Sequence, residues 1–312
     1  MDYAFLVVGV VLLAKAADQF VIGSVRVANV LRISTIVIGA VVMGFGTSAP
    51  EMVVSGIAAG GGELDVGVGN IVGSNIANLT LVLGVAGVIT AIAIPSSVLR
   101  REAPMSMASL VIFAVLVQDG LLFWEGLVLA GAMAAALTIV LLGARSGAPP
   151  PAGELDELLT DDPPEIKVEL VRTLLGLAGT VGGAWLLVRG ATNIADDNGL
   201  SGGFVGLTLV AVGTSLPELV TTVLAARKGQ TDLIVGNLLG SNLFNSFAVG
   251  AVTALLGNGP LDDPDLDGLP ILMMIGIGFI AWAFMAQGRK ISRWEGAVLL
   301  VLAVACVPFL PR

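Results

Sequence analysis

The sequence predicts an all-α polytopic membrane protein with ten transmembrane helices in two inverted five-helix repeats. Apolar residues make up 56% of the 312 residues and charged residues only 12%, about half the charged share of a soluble domain. Long apolar runs fill most of the chain, and a helix needs about 20 such residues to cross a bilayer. In addition, a polar segment that contains a glutamate occurs twice.

The composition also excludes several classes of function. The chain has no histidine and one cysteine, Cys306, which excludes disulfide frameworks, thiolate–imidazole metal sites and Ser-His or Cys-His catalysis. A net charge of −9 argues against nucleic acid as a partner. Because no nucleophile–base pair or cofactor motif is present, we expect neither an enzyme nor a resident cofactor. Oligomeric state stays open, and a monomer is plausible.

Hydropathy places the spans, with the apolar N-terminus as the first of them because it lacks the basic region of a signal peptide. The predicted spans are residues 3–25, 33–60, 66–94, 103–118, 121–143, 169–194, 202–226, 233–257, 269–287 and 291–310. A stretch rich in proline and acidic residues lies between the fifth and sixth spans and is typical of a flexible linker. The predicted organisation is therefore a first repeat (1–143), a linker (144–168) and a second repeat (169–312).

The basic residues predict the orientation. They fall almost entirely in alternate connections, together with the linker, and such residues favour the cytoplasmic side. The residues concerned are Arg26, Arg32, Arg100, Arg101, Arg145, Lys167, Arg172, Arg227, Lys228, Arg289, Lys290 and Arg293. We therefore expect a protein of the cell membrane with a cytoplasmic linker and both termini outside.

The two polar segments are copies of each other. Gly46-Thr-Ser-Ala-Pro-Glu51 matches Gly213-Thr-Ser-Leu-Pro-Glu218, and further on Gly69–Asn78 matches Gly236–Asn245, all with an offset of 167 residues. Since five spans per half is an odd number, the second copy enters the membrane from the opposite face. Transporters commonly use such inverted repeats, with the binding site near the midplane.

Glu51 and Glu218 lie near the middle of spans two and seven. A charge at that depth costs about 2.5 kcal/mol or more and persists only beside a partner, a cavity or an ion. Apart from Arg172 and Arg293 at the ends of their spans, Lys15 and Arg189 are the only basic residues within the predicted spans, and one of them cannot serve both glutamates. A bound cation is the simpler partner.

Each glutamate follows a predicted break in its helix. Ser48 and Ser215 fit the N-cap of a capping box with glutamate at the third position, and the intervening proline has no N–H and disrupts the preceding turn. We expect the freed carbonyls of Gly44 and Ala211 to point into the site, because broken backbone at this depth must be buried or line a cavity.

Spans three and eight add further oxygens, because Ser74 and Asn78 share a helix face, as do Ser241 and Asn245. The predicted site contains Thr47, Ser48, Glu51, Ser74, Asn78, Thr214, Ser215, Glu218, Ser241 and Asn245. Oxygen without sulfur or imidazole suits hard cations such as Ca²⁺. Sodium ions could use the same oxygens, and protons could neutralise the glutamates directly.

These paired segments resemble the α-repeats of the cation/Ca²⁺ antiporter superfamily, specifically its prokaryotic sodium/calcium exchanger branch. The resemblance covers nearly the whole chain. It implies alternating access, with Ca²⁺ ligated by the two glutamates and by the carbonyls of Gly44 and Ala211, and with spans one and six sliding as a gate. Asn245 replaces an aspartate of some relatives, including potassium-dependent ones, which argues against potassium co-transport.

Three functions are open at this stage. The first is exchange of Na⁺ for Ca²⁺, the second is exchange of H⁺ for Ca²⁺ by the same fold, and the third is a passive Ca²⁺ channel. The expected partners are the lipid bilayer and inorganic cations.

Several nearby polar residues have a structural interpretation. Lys15 and Asp18 are at helical spacing and are expected to pair. For Asn75 and Asn242, interhelical packing explains their presence as well as ligation does. Asn70 and Asn237 are expected to hydrogen-bond the freed backbone.

Overall fold

The computed structural model describes residues 2–31, 35–62, 64–144, 165–197, 211–261, 266 and 268–306. Most of the predicted linker (145–164), the first part of the predicted seventh span (198–210) and Arg32 lie outside this part of the chain. Within it, the chain is helical apart from turns and one pair of two-residue strands, so the predicted all-α class is confirmed.

The first half contains nine helices in the described residues. They are α1 (Asp2–Leu31), α2 (Thr35–Ile38), α3 (Gly44–Thr47), α4 (Ala49–Gly60), α5 (Leu64–Ala77), α6 (Leu83–Ile89), α7 (Ser96–Arg100), α8 (Glu102–Leu116) and α9 (Phe123–Ala144). Two π-helical turns, Gly39–Met43 and Asn78–Val82, join α2 to α3 and α5 to α6.

The described residues of the second half form seven helices. They are α10 (Ile166–Asp197), α11 (Ala211–Thr214), α12 (Leu216–Arg227), α13 (Thr231–Phe244), α14 (Gly250–Gly257), α15 (Leu269–Ala286) and α16 (Arg293–Cys306). A third π-helical turn, Asn245–Val249, joins α13 to α14. It begins at the residue that the repeat relates to Asn78, so both copies of the segment make the same local change of helix.

Among the described residues, five stretches of helix are long and apolar enough to cross a membrane by themselves, and the bent segment 39–60 makes a sixth. Other predicted spans correspond to shorter helices, such as α8 with 15 residues and α12 with 12. The protein is thus a polytopic helical membrane protein, while the count of ten spans stays a prediction.

The ends of the two halves are fastened in matching ways. Strand β1 (Ile92–Ala93) pairs antiparallel with β2 (Lys290–Ile291), just before α16. Leu121, just before α9, forms an isolated bridge with Gly259. The segment after the third span thus pairs with the connection before the last span of the second half, and the segment after the eighth span pairs with the connection before the last span of the first half. The neighbouring helices follow the same pattern, because α6 packs on α16 and α14 packs on α9.

Helices α5 and α13 form the centre of the molecule and are buried on nearly every face. They accept close neighbours because glycines line the contacts. A Cβ at Gly240 would collide with the backbone of Ala40, with its Cα at 2.6 Å, and one at Gly39 would lie 2.8 Å from the Leu233 carbonyl. The π-helical turn Gly39–Met43 is therefore held directly against α13.

Helices α1 and α10 pack against each other along their length. Glycines again allow the approach, since a Cβ at Gly176 would lie 2.5 Å from the backbone nitrogen of Phe20 and one at Gly183 would lie 2.6 Å from that of Leu13. Near the end of α1, Arg26 forms an ion pair of 3.0 Å with Glu169. The two helices are thus joined by packing and by charge.

The predicted pair between Lys15 and Asp18 is replaced by another. Asp18 forms an ion pair with Lys228, just after α12, at 3.1 Å. Helical spacing brought Lys15 and Asp18 within reach, but the partner from another helix could not be read from the sequence.

Candidate functional site

The helix is interrupted at the serine of both copies of Gly-Thr-Ser-x-Pro-Glu. The helix axis turns by 44° between residues 39–47 and α4. Ser48 and Ser215, at the N-cap positions of α4 and α12, have nearly identical φ/ψ values of −82°/6° and −82°/3°. The predicted bend and its N-cap residues are thus confirmed for span two, and the same local geometry occurs in its copy.

The predicted capping boxes are wrong, because neither serine side chain caps its helix. Ser48 Oγ instead donates a hydrogen bond to Glu218 Oε1 at 3.3 Å, which joins the two repeats. The prediction failed because it considered only local partners, whereas the hydroxyl faces a carboxylate 170 residues away.

The Gly44 carbonyl is not free either. It accepts the N–H of Ser48 at 3.2 Å, so the backbone hydrogen bonding continues into the bend. A carbonyl oxygen has two lone pairs, which leaves one for another partner. Ala211, the equivalent residue of the second repeat, is the first described residue of α11.

The two glutamates lie at the centre of the site and are fully buried, each with 0% of its surface exposed. They are close enough to repel each other electrostatically. The hydroxyls of Thr214 and Ser215 lie near Glu51, outside hydrogen-bond geometry. On the other side, Thr47, Ser48 and Ser241 lie near Glu218. Each carboxylate is therefore flanked by a threonine and a serine hydroxyl of the opposite repeat, and Glu218 also by Ser241 of its own repeat.

Most carboxylate oxygens have no hydrogen-bond partner among the described residues. Both oxygens of Glu51 and Oε2 of Glu218 are buried without one, and no described basic side chain pairs with either residue. A buried, unpaired charge is highly unfavourable unless an ion or a proton compensates it. The arrangement therefore requires a positively charged partner.

Helices α5 and α13 place the amide residues of the site. Asn78 and Asn245 are fully buried at the first positions of their π-helical turns. Asn78 Nδ2 donates to Asn242 Oδ1 at 3.2 Å, while Asn78 Oδ1 has no described partner. Neither polar atom of the Asn245 side chain has one. These amide oxygens are thus free to bind a cation.

The serines of the same helices are also buried and polar. Ser241 Oγ lies 3.4 Å from Thr47 Oγ1, and Ser74 Oγ lies 3.5 Å from Asn70 Oδ1. All ten predicted side-chain positions are buried, with at most 2% of their surface exposed. Within the described residues no group of three or more acidic or cysteine side chains occurs, so neutral oxygens provide most of the polar atoms.

Four asparagines were not predicted to belong to the site. Asn75 Nδ2 donates to Ser246 Oγ at 3.2 Å, and Asn242 accepts from Asn78, which fits their interpretation as packing residues. Asn70 and Asn237 bind side-chain hydroxyls rather than the backbone that we predicted. Their position in the repeated segment was visible in the sequence, but their partners were not.

A cavity of about 530 Å³ separates α10 from the bent segment. Its lining is mostly apolar and includes Pro50, Val54, Leu177, Val181, Trp185 and Thr214. Close to it, the guanidinium of Arg189 stacks over the ring of Trp185 at 5.2 Å. The cavity gives α10 space beside the site, in contrast to its close contact with α1.

Fold and site together define a class of protein: a polytopic helical membrane protein with a doubled, buried set of polar oxygens at its centre. The chain belongs to the sodium/calcium exchanger protein family, which matches residues 1–142 and 168–310. The resemblance of the two repeated segments to this family is thereby confirmed.

Individual relatives agree over almost the full length. CaxA of Alkalimonas amylolytica is 37% identical over 95% of this chain and 94% of its own. The sodium/calcium exchanger MaX1 of Methanosarcina acetivorans is 31% identical over 98% of this chain and 97% of its own. The structure of the sodium-calcium exchanger NCX_Mj, soaked with Na⁺ and Sr²⁺, superposes with a TM-score of 0.86 at 30% identity, covering 100% of this chain and 99% of that one.

Proposed function

We propose that the protein is a secondary antiporter that exchanges Na⁺ for Ca²⁺ by alternating access. The observation that carries this proposal is the set of buried oxygens without partners. It consists of both oxygens of Glu51, Oε2 of Glu218, Oγ of Ser215, and Oδ1 of Asn78 and of Asn245. Oxygens of this kind, in a flexible cage, are the ligands that Ca²⁺ takes in numbers of about six to eight.

The proposed ligands are those of both repeats together. They are the side chains of Thr47, Ser48, Glu51, Ser74, Asn78, Thr214, Ser215, Glu218, Ser241 and Asn245, with the carbonyls of Gly44 and Ala211. Two carboxylates carry a charge of −2, which one Ca²⁺ neutralises or two Na⁺ neutralise singly. Hence the same oxygens can hold either cargo, but not both at once, and this competition is the basis of exchange. The NCX_Mj structures soaked with Na⁺ and Sr²⁺ or Ca²⁺ support this choice of ions.

The proposed gate is the pair α1 and α10. The glycine contacts and the Arg26–Glu169 ion pair join these helices to each other, while the 530 Å³ cavity separates α10 from α4. A unit that is tightly packed within itself, with a cavity on its α4 side and the Asp18–Lys228 ion pair as its charged link to the core, can slide as one body. With ten spans, a cytoplasmic linker and both termini outside, such sliding would expose the site alternately to the two sides.

Flux in proteoliposomes tests the proposal. An outward Na⁺ gradient is expected to drive uptake of radiolabelled Ca²⁺ by purified protein, and Glu51→Gln or Glu218→Gln is expected to abolish it. Glu125→Gln is the matched control, because the Glu125 carboxylate only accepts the N–H of Leu122 at 2.7 Å, which a glutamine oxygen can also do. Full activity of both site variants would refute the site.

The same vesicles distinguish the other two functions. Uptake driven by a pH gradient without sodium would show exchange of H⁺ for Ca²⁺. The hydroxyl and amide oxygens of the site favour sodium instead, because protons need no such cage. A channel would conduct Ca²⁺ without stimulation by Ca²⁺ on the far side, whereas a carrier is stimulated by it.

A further inference from the structure

Asn70 joins three helices in the centre of the protein. It lies on α5 with 1% of its surface exposed. Its Nδ2 donates to Ser55 Oγ on α4 at 3.0 Å, and its Oδ1 accepts from Thr214 Oγ1 on α11, in the opposite repeat, at 3.2 Å. The amide therefore connects the outgoing half of one bent segment to the incoming half of the other.

Asn237 makes the equivalent contacts from α13. Its Nδ2 donates to Thr222 Oγ1 on α12 at 3.2 Å, and its Oδ1 lies 3.4 Å from Thr47 Oγ1 on α3, a hydroxyl whose single proton is shared with the nearer Met43 carbonyl at 2.8 Å. Asn237, Thr222 and Thr214 each follow their first-repeat equivalents by 167 residues. The same bridge of a threonine, an asparagine and a hydroxyl thus occurs twice, related by the repeat.

The orientation of the Asn70 amide is determined by its neighbours. Ser55 Oγ donates its only proton to the carbonyl of Gly67 at 3.3 Å, so it must accept from the amide nitrogen. The amide oxygen is thereby turned towards Thr214. The hydrogen bond from Thr214 to this oxygen fixes the position of the hydroxyl, whose oxygen lies near Glu51.

The hydrogen bonding also separates these residues from the proposed ligands. Both polar groups of Asn70 and of Asn237 are engaged with protein partners. Asn78 and Asn245, in contrast, keep a buried amide oxygen without a described partner. Residues with saturated hydrogen bonds next to ligands are suited to orient them, as carboxylates do behind metal-bound histidines.

We propose that Asn70 and Asn237 are positioning residues for ion binding, each of which holds the threonine hydroxyl of the opposite repeat towards the cation. The inference rests on the proposed function, because it requires Thr47 and Thr214 to be ligands. It goes beyond that function by assigning a role to two residues that touch no ion. It also explains why the bridges cross from one repeat to the other.

Crossed double-mutant cycles test the proposal. The apparent affinity for Ca²⁺ is measured by sodium-driven uptake for Asn70→Ala, Thr214→Val and the double variant. Each single change is expected to weaken the affinity by about three- to tenfold, as for the loss of one hydrogen bond, and the double variant is expected to be no weaker than the weaker single one. Asn237→Ala with Thr47→Val should show a smaller coupling, because the contact is longer and the Thr47 hydroxyl also donates to the Met43 carbonyl.

The repeat supplies matched controls. Asn70→Ala with Thr47→Val, and Asn237→Ala with Thr214→Val, remove residues that do not contact each other, so their effects should multiply. The proposal would be overturned if the effects on Ca²⁺ affinity also multiplied in the Asn70/Thr214 and Asn237/Thr47 cycles. A fall in the maximal rate of uptake with unchanged affinity would overturn it as well. If Asn70→Ala does not fold, Ser55→Ala releases the amide without touching the site and should couple to Thr214→Val.

The outcome is separable from that of the proposed function. If the wild-type protein shows no sodium-driven uptake, antiport fails, and the cycles are then read from the rise in unfolding temperature that Ca²⁺ causes. If the wild-type protein exchanges ions but the cycles show no coupling, only the positioning role fails.

Discussion

Removal of both charges from the site should change how the protein responds to its ions. The double variant Glu51→Gln/Glu218→Gln keeps the shape of two side chains that are 0% exposed. In the wild-type protein without cations, three carboxylate oxygens are buried with no described partner, and each such group costs about 1–3 kcal/mol. The glutamine amides remain buried polar groups, but the double variant removes the two charges and their mutual repulsion, so without Na⁺ and Ca²⁺ it should unfold at a temperature no lower than the wild-type protein.

With Ca²⁺ or Na⁺ present, the wild-type protein should unfold at a higher temperature than the double variant. Ca²⁺ at about 100 times its dissociation constant stabilises a protein by about 2.7 kcal/mol. With an unfolding entropy of about 2.1 cal/mol/K per residue, each kcal/mol raises the unfolding temperature of a 312-residue chain by about 1.5 °C. We therefore expect a rise of roughly 4 °C for the wild-type protein and almost none for the double variant.

Thermal unfolding in detergent measures both effects. The protein is heated in sodium-free buffer with a chelator, then with Ca²⁺, then with Na⁺, and Glu125→Gln serves as the control that should respond like the wild-type protein. A double variant that keeps the full shift with Ca²⁺ would show that the ion binds elsewhere. A variant that is much less stable than the wild-type protein without ions would show that the carboxylates have partners of their own.

Two further predictions concern packing. Gly240→Ala should destabilise the protein by about 1–3 kcal/mol or more, because the new Cβ collides with the backbone of Ala40. Gly276→Ala is the control and should have little effect, since its Cβ would meet nothing within 4 Å. Equal unfolding temperatures of the two variants would contradict the close contact at Gly240. Gly182→Trp should fill part of the cavity beside α10 and slow Ca²⁺ exchange several-fold, while the Ca²⁺-induced rise in unfolding temperature is kept. Gly131→Trp is the control. Unchanged Ca²⁺ flux in Gly182→Trp would argue against α10 as the gate.

The sequence was sufficient for features that follow from the membrane itself. Glu51 and Glu218 stand out because a charge in an apolar span needs a reason, and the offset of 167 residues relates their neighbours to one another. The bend at Ser48 also followed locally, because Pro50 lacks the N–H that a continuous helix requires. These inferences need no knowledge of which helices touch.

What failed depends on contacts between distant segments. The hydroxyl of Ser48 bonds to Glu218 rather than to its own helix, and Asp18 pairs with Lys228 rather than with its neighbour along the helix. The role of Asn70 likewise requires Thr214 beside it. Local rules propose the nearest partner, and in the interior of a membrane protein the nearest partner in space often comes from another helix.

The hydrogen bond from Ser48 to Glu218 has a consequence for how the protein is made. Neither half contains a whole site, because each carboxylate lies beside a threonine and a serine hydroxyl of the other half. During synthesis, the Glu51 carboxylate of the first half would thus lie in the membrane without these hydroxyls until the second half inserts beside it. A single half expressed alone would face the same requirement, and an oppositely inserted copy of itself could supply the missing hydroxyls.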